Sequence, residues 1–332
     1  VLGINPGSTV RNSFTIIMLI VSAHLLAQVE NSHYRGINPE LVSSLSPTKA
    51  VSFIGKDSQL EFDILLLKNA VGFPIMYQSK LNTPVCNDTL CQIVDCSLFW
   101  DLTGKYQGFS SLTNKPLTKF DHVEFTEQDY SKLHQLMMDD NSVLQRKHKD
   151  ELVDKKVKRE SQKYDAVTSA TALEIKNAVV EGALYTSYTL FHLANGEAKQ
   201  NISKHTLQKL NPSLLRVMLE SDIPSYHLFA LKQIKSSELI NYRAEWIQIL
   251  RTGIPLNRQY ILKKLPPDVW KDKNIQLELA RLISKLDANS RTLIIKGFKK
   301  LQKPSKKALE EISKQIEVLS RNQRISLKSM LK

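Results

Sequence analysis

Leu60-Glu61-Phe62-Asp63-Ile64-Leu65-Leu66-Leu67 is an apolar run that ends near Gly72-Phe73-Pro74 and is followed by Ile75-Met76-Tyr77. Val51–Ile54 precedes it and Ile93–Trp100 follows, with Asn82-Thr83-Pro84 as a further separator. Short apolar runs punctuated by Gly, Pro and Asn read as strands joined by turns. In Ile93–Trp100 a period of two places Val94, Cys96, Leu98 and Trp100 on one face, so Cys96 is expected to be a buried thiol. Asp101–Phe109, with Gly104 and Gly108 around Tyr106, reads as a tight turn between two strands.

Further along, the pattern becomes helical. Thr126-Glu127-Gln128-Asp129 has the form of a capping box and opens a helix through about Met138. The charged stretch Gln145–Lys163 reads as a solvated surface segment, and a long helix is expected from Leu173 to Leu193, stopped by Asn195-Gly196. Beyond Ile202 short helices follow one another. Ile223-Pro224 to Ile234 (IPSYHLFALKQI) and Ile254-Pro255 to Leu265 (IPLNRQYILKKL) match in register at an offset of 31 residues, and Gly297–Leu301 is a candidate third copy. That period points to stacked helical hairpins of HEAT-like type, with an irregular helical bundle as the alternative. The expected architecture is an α+β domain followed by an all-α HEAT-like helical domain. The boundaries are 1–27 for an export signal, 28–200 for the first domain and 201–332 for the second.

Composition narrows the function classes. With 332 residues, 42% hydrophobic and 24% charged, the chain is neither a disordered protein nor a polytopic membrane protein. The net charge of +13 is uneven. Residues 1–140 carry 10 Lys+Arg against 14 Asp+Glu, whereas residues 203–332 carry 26 against 11. Such a basic surface suits nucleic acid, anionic lipid or an acidic protein. At the other end, Arg11 precedes an apolar stretch from Phe14 to Leu26. That is shorter than the ~20 residues needed to span a bilayer core. It fits a secretory signal cleaved after Leu25-Leu26-Ala27, which places the mature protein outside the cytoplasm, periplasmic or membrane-associated. Export would put DNA out of reach.

Three cysteines, Cys86, Cys91 and Cys96, are too few and wrongly spaced for an iron–sulfur cluster, and zinc lacks a fourth ligand nearby, so no metal is expected. Asn87-Asp88 can turn the chain, so Cys86 and Cys91 are candidates for a disulfide across that turn. A redox-active role for the pair is the alternative. No nucleophile triad, G-x-S-x-G elbow or Gly-rich phosphate loop is present, and no catalytic residue is assigned.

Tyr164-Asp165-Ala166-Val167-Thr168-Ser169-Ala170-Thr171-Ala172 is a run of small residues leading into a helix. Thr171 and Glu174 have capping-box spacing, and the same geometry suits a phosphate, since a helix N-terminus offers unpaired N–H groups. The stretch Asp165–Thr171 resembles the flavinylation motif of FMN-binding domains, found in subunits of sodium-pumping quinone reductases and Rnf-type complexes and in exported redox proteins. Ser169 stands where that family usually has Gly. The likeness continues in Ala178–Gly196, in Leu117–His122 with Phe125-Thr126 and Asp129-Tyr130, and in Phe99-Trp100-Asp101 with Gly104 and Tyr106, in the family's order.

The resemblance implies an FMN joined through its phosphate to the Thr171 hydroxyl by a separate flavin transferase. Asp165, Thr168, Ser169 and Ala170 would form the recognition motif. Trp100, His122 and Tyr130 are candidates for the flavin's surroundings, ordinary core or structural hydrogen bonding being the alternative for each. The implied function is an extracytoplasmic electron-transfer flavoprotein, a carrier rather than a stand-alone enzyme, between a membrane redox partner and an acceptor. The alternative is a flavin-free scaffold whose basic helical array meets a membrane surface, a partner protein or nucleic acid.

Overall fold

The computed structural model describes residues 32–55, 59–87, 90–120, 122–153 and 173–331. The expected export signal and the motif residues Asp165, Thr168, Ser169, Ala170 and Thr171 lie outside the described residues. The chain divides into two compact units, Val1–Gln208 and Lys209–Lys332. The first is α+β and the second is helical.

The first unit is built on a six-stranded antiparallel sheet ordered β1-β6-β5-β4-β3-β2. Its strands are β1 (Ser32–Arg35), β2 (Ser46–Ile54), β3 (Glu61–Lys68), β4 (Pro74–Asn87), β5 (Leu90–Trp100) and β6 (Tyr106–Leu112). From β2 to β6 it is a meander, each strand beside the next. The first strand instead pairs with the last, Ser32 opposite Leu112 and Arg35 opposite Phe109. The link from β1 to β2 contains helix α1 (Pro39–Ser43), which covers one face of the sheet over Leu67, Met76 and Phe99.

The other face is the main core. Period two brings Tyr77, Leu81 and Val85 of β4, and Val94, Cys96, Leu98 and Trp100 of β5, inward with Phe109 of β6. Burial pushes the Cys96 thiol up to about 12. Helices α2 (Glu127–Met138), α3 (Leu173–Ala178), α4 (Leu184–Asn195) and α5 (Glu197–Lys209) follow the sheet. Thr126 caps α2 in a reciprocal box with Asp129, as the spacing predicts. From α5, His205 and Thr206 reach the Tyr77 hydroxyl at 2.9 and 2.8 Å, tying that helix to β4.

In the first unit the structure departs from four expectations. Asn82-Thr83-Pro84 is not a separator: β4 runs through it, with Pro84 opposite Ile93. Past Gln78 the ladder partners of β4 come from β5 alone among the described residues, so the missing Pro84 N–H interrupts no ladder with β3. The turn after β5 spans Asp101–Lys105, and Tyr106 and Gly108 already belong to β6. The single long helix is two, α3 and α4, broken at Val179–Ala183, and the chain resumes helix at Glu197 directly after Gly196. Finally, Gln145–Lys163 is not solvated throughout, because Leu152 and Val153 are buried; residues 154–163 lie outside the described residues.

In the second unit the two matched segments both form helices that start with Ile-Pro, α7 (Pro224–Gln233) and α9 (Pro255–Lys264). Proline at the first helical position has no N–H to lose there. Preceding and separating them are α6 (Pro212–Glu220) and α8 (Arg243–Thr252). Then come α10 (Pro267–Lys271), α11 (Lys273–Arg281), α12 (Ala288–Lys299), α13 (Lys306–Ser313) and α14 (Arg321–Leu331). The candidate third copy differs: Gly297–Leu301 closes α12, whose cap is Asp287 rather than an Ile-Pro start. Trp246, Leu250, Ile261, Leu279, Ile294 and Phe298 are among the residues forming this unit's own core.

Candidate functional site

Two of the segments that carry the resemblance, Leu117–Tyr130 and Ala178–Gly196, meet at a short hairpin, 117–125. Lys119 N donates to Val123 O at 2.7 Å, Phe125 N to Leu117 O at 2.8 Å and His122 N to Lys119 O at 3.1 Å. His122 is exposed near the tip with a φ of 60°. Three contacts hold the hairpin. From β5, the Gln92 side-chain amide donates to Lys119 O (2.6 Å) and Phe120 O (3.2 Å). From α2, Asp129 takes the Lys119 ammonium at 2.8 Å while accepting from Thr126 N and Oγ1, each at 2.8 Å. Desolvation works against the charged form of Asp129, but the hydrogen bonds from Lys119 and Thr126 prevail and hold its carboxyl below the usual range. From the break between α3 and α4, Gly182 O accepts Phe120 N at 2.7 Å.

Gly182 has a φ of +73°, and a Cβ there would lie 3.3 Å from Lys119 Cβ. Glycine meets both demands, a left-handed backbone and a close neighbour. The break is stabilised further by Val180 N donating to Ser187 Oγ at 3.1 Å. Thus the hairpin and the chain just past α3 are fixed together.

Helix α3 begins two residues after Thr171. Ile175 and Val179 enter a hydrophobic cluster with Leu136, Leu144, Leu152, Val153, Tyr188 and Phe191. Val153 and Ile175, the one before and the other after residues 154–172 in sequence, thus belong to one cluster. Polar groups ring these two ends. Glu174 pairs with Lys147 at 3.5 Å, Tyr188 donates its hydroxyl to Lys147 O at 3.2 Å, and the Lys149 ammonium lies 5.5 Å from the Tyr185 ring centroid.

The structure places the three candidate flavin neighbours in different settings. Trp100 is fully buried and donates Nε1 to Ala194 O at 2.7 Å. Tyr130 is buried among His33, Phe109 and Phe125, and its hydroxyl accepts Leu117 N at 3.1 Å. His122 alone of the three is exposed. The polar node of Gln92, Lys119 and Asp129 was not singled out in the sequence. Its signal is the Thr126–Asp129 box beside a lysine seven residues upstream of it, which no local pattern distinguishes from surface charge.

Cys86 lies directly opposite Cys91 in the β4–β5 register. Cys91 is disulfide-bonded and Cys96 is the free thiol. Among the described residues no group of His, Cys, Asp and Glu could hold a metal ion, and no helix is long and apolar enough to cross a membrane. Compared with known proteins, the chain matches no family model, no curated protein and no solved structure.

Proposed function

We propose that the protein is an extracytoplasmic electron-transfer flavoprotein that carries FMN covalently on Thr171. The observation that carries this reading is the motif Asp165–Thr171 placed directly before α3, with the other resembling segments, Leu117–Tyr130 and Ala178–Gly196, joined through Phe120 and Gly182. The donor chemistry fits the group. A threonine hydroxyl can carry a phosphate ester, and the small neighbours Ser169 and Ala170 leave an anion room to approach backbone. Bound flavin would supply one- or two-electron transfer. The chain's own contribution is anchorage: α3 is held by Ile175 and by Val179 just past its end, and the adjacent hairpin by Gln92, Asp129 and Gly182. Covalent attachment suits a site outside the cytoplasm, where a dissociating flavin would be lost. The partners under this reading are a flavin transferase, a membrane redox donor and an acceptor.

Coexpression with a compatible transferase should add one FMN phosphoryl unit that survives denaturation and maps to Thr171 on peptide fragmentation. Thr171→Ala should abolish the adduct. Thr171→Ser should keep some labelling, and Asp165→Ala should impair recognition by the transferase. Full labelling of Thr171→Ala would show that the site is elsewhere. An unlabelled wild type beside a labelled control substrate would sink the relay.

A further inference from the structure

The second unit carries one surface that folding does not account for. From Ala288 to Leu309 there is no Asp or Glu, while Lys296, Lys299, Lys300, Lys303, Lys306 and Lys307 fall within one turn-linked stretch. They occupy the end of α12, the connection after it and the first turn of α13. All six are exposed, and none is paired with a carboxylate among the described residues. Lys296, Lys299 and Lys300 recur at helical spacing on the solvent side of α12, whose Ile294, Ile295 and Phe298 point into the core.

Their placement opposes local preference at one end. Cations near a helix C-terminus are favourable, which explains Lys296 and Lys299. Lys306 and Lys307 sit instead in the first turn of α13, where the helix dipole repels them, and Ser305 makes no side-chain cap there. Glu310 and Glu311 follow one turn later on α13, but the ion pair made there is Glu311 with Lys314. Among the described residues Lys306 and Lys307 thus face outward without a bonded carboxylate and are open to a partner outside the fold.

We propose that this lysine surface docks the protein on an anionic lipid bilayer, and this rests on the extracytoplasmic reading above. The chemistry of the patch selects that occupant. All six cations are Lys, compact point charges that sum over a diffuse negative plane, and none is Arg, whose fork suits bidentate recognition of single phosphates or carboxylates. The one aromatic of the stretch, Phe298, is buried, so the patch has no stacking platform for unpaired bases. Docking would hold the carrier beside a membrane donor.

The test uses the mature chain, residues 28–332 without flavin, sedimented with vesicles of phosphatidylcholine alone or mixed with phosphatidylglycerol. Binding should require phosphatidylglycerol and be reversed by salt. The variant K296Q/K299Q/K303Q/K307Q should bind on the order of tenfold more weakly or worse. A control with equal charge loss, K232Q/K235Q/K263Q/K273Q, should lose much less, with both variants matching the wild-type circular dichroism spectrum. Equal binding to phosphatidylcholine, equal loss in the control, or tighter binding to duplex DNA than to vesicles at the same salt would each overturn the proposal. Because FMN attachment is read separately by mass, failure here leaves the flavin assignment standing, and the reverse holds.

Discussion

At the scale of single residues, His134 is the most informative titratable group of the first unit. Its Nδ1 lies 3.1 Å from the Tyr106 hydroxyl, and its ring closes over Gly36, where a Cβ would come within 2.2 Å of His134 Cε1. Burial, and then the Arg35 guanidinium, hold this imidazole below its ordinary 6.5. A histidine lowered in the folded state binds fewer protons there than in the unfolded chain. Its contribution is therefore present above pH 6.5 and is lost as pH falls through the lowered folded value. Thermal unfolding measured from neutral to mildly acidic pH should show that loss, and His134→Gln should flatten it; an unchanged slope in the variant would assign the effect to other groups. Cys96 gives a companion expectation. Buried and held at about 12, it should react with an alkylating reagent only after unfolding, whereas Cys91 should need reductant first.

Elements were legible where their causes are local. The Thr126–Asp129 box, the Ile-Pro starts of α7 and α9 and the period-two face of β5 each depend on residues within a few positions, and each has the form expected. Elements were not legible where a distant partner decides. The break between α3 and α4 follows from Phe120 bonding Gly182 across the fold, and β1 is four half-buried residues that become a strand only beside β6. Pro84 reads as a turn in isolation and is tolerated in β4 because past Gln78 that strand is laddered to β5 alone among the described residues. The motif that carries the functional reading was legible only as a likeness, since small residues before a helix also describe an ordinary cap. One element-scale contact is easily tested. Tyr77→Phe removes the hydroxyl that holds α5 at His205 and Thr206, taking one hydrogen bond from each of two buried polar side chains. It should cost about 1–3 kcal/mol in denaturant unfolding. A loss near zero would mean that α5 is held by its apolar residues Ala198 and Ile202.

At the scale of the whole molecule, the two units differ in what limits their stability. Residues 209–332 carry 25 Lys and Arg against 11 Asp and Glu, a net of +14. Ion pairs engage Arg216, Arg243, Arg258, Lys271, Lys314 and Arg324. Most of the remaining cations have no carboxylate partner among the described residues, and exposed pairs contribute little each. Self-repulsion should therefore outweigh attraction in the compact state. This unit also has its own apolar core around Trp246, Leu250, Leu279 and Phe298, which is what independent folding requires. A fragment spanning 209–332 should accordingly unfold cooperatively by circular dichroism. Raising the salt from low to physiological strength brings the Debye length to about 8 Å and screens the repulsion. Its Tm should rise, about 1 kcal/mol corresponding to roughly 4 °C at this size. A Tm that falls with salt would show that the ion pairs dominate, and a fragment without a cooperative transition would show that this core depends on the first unit.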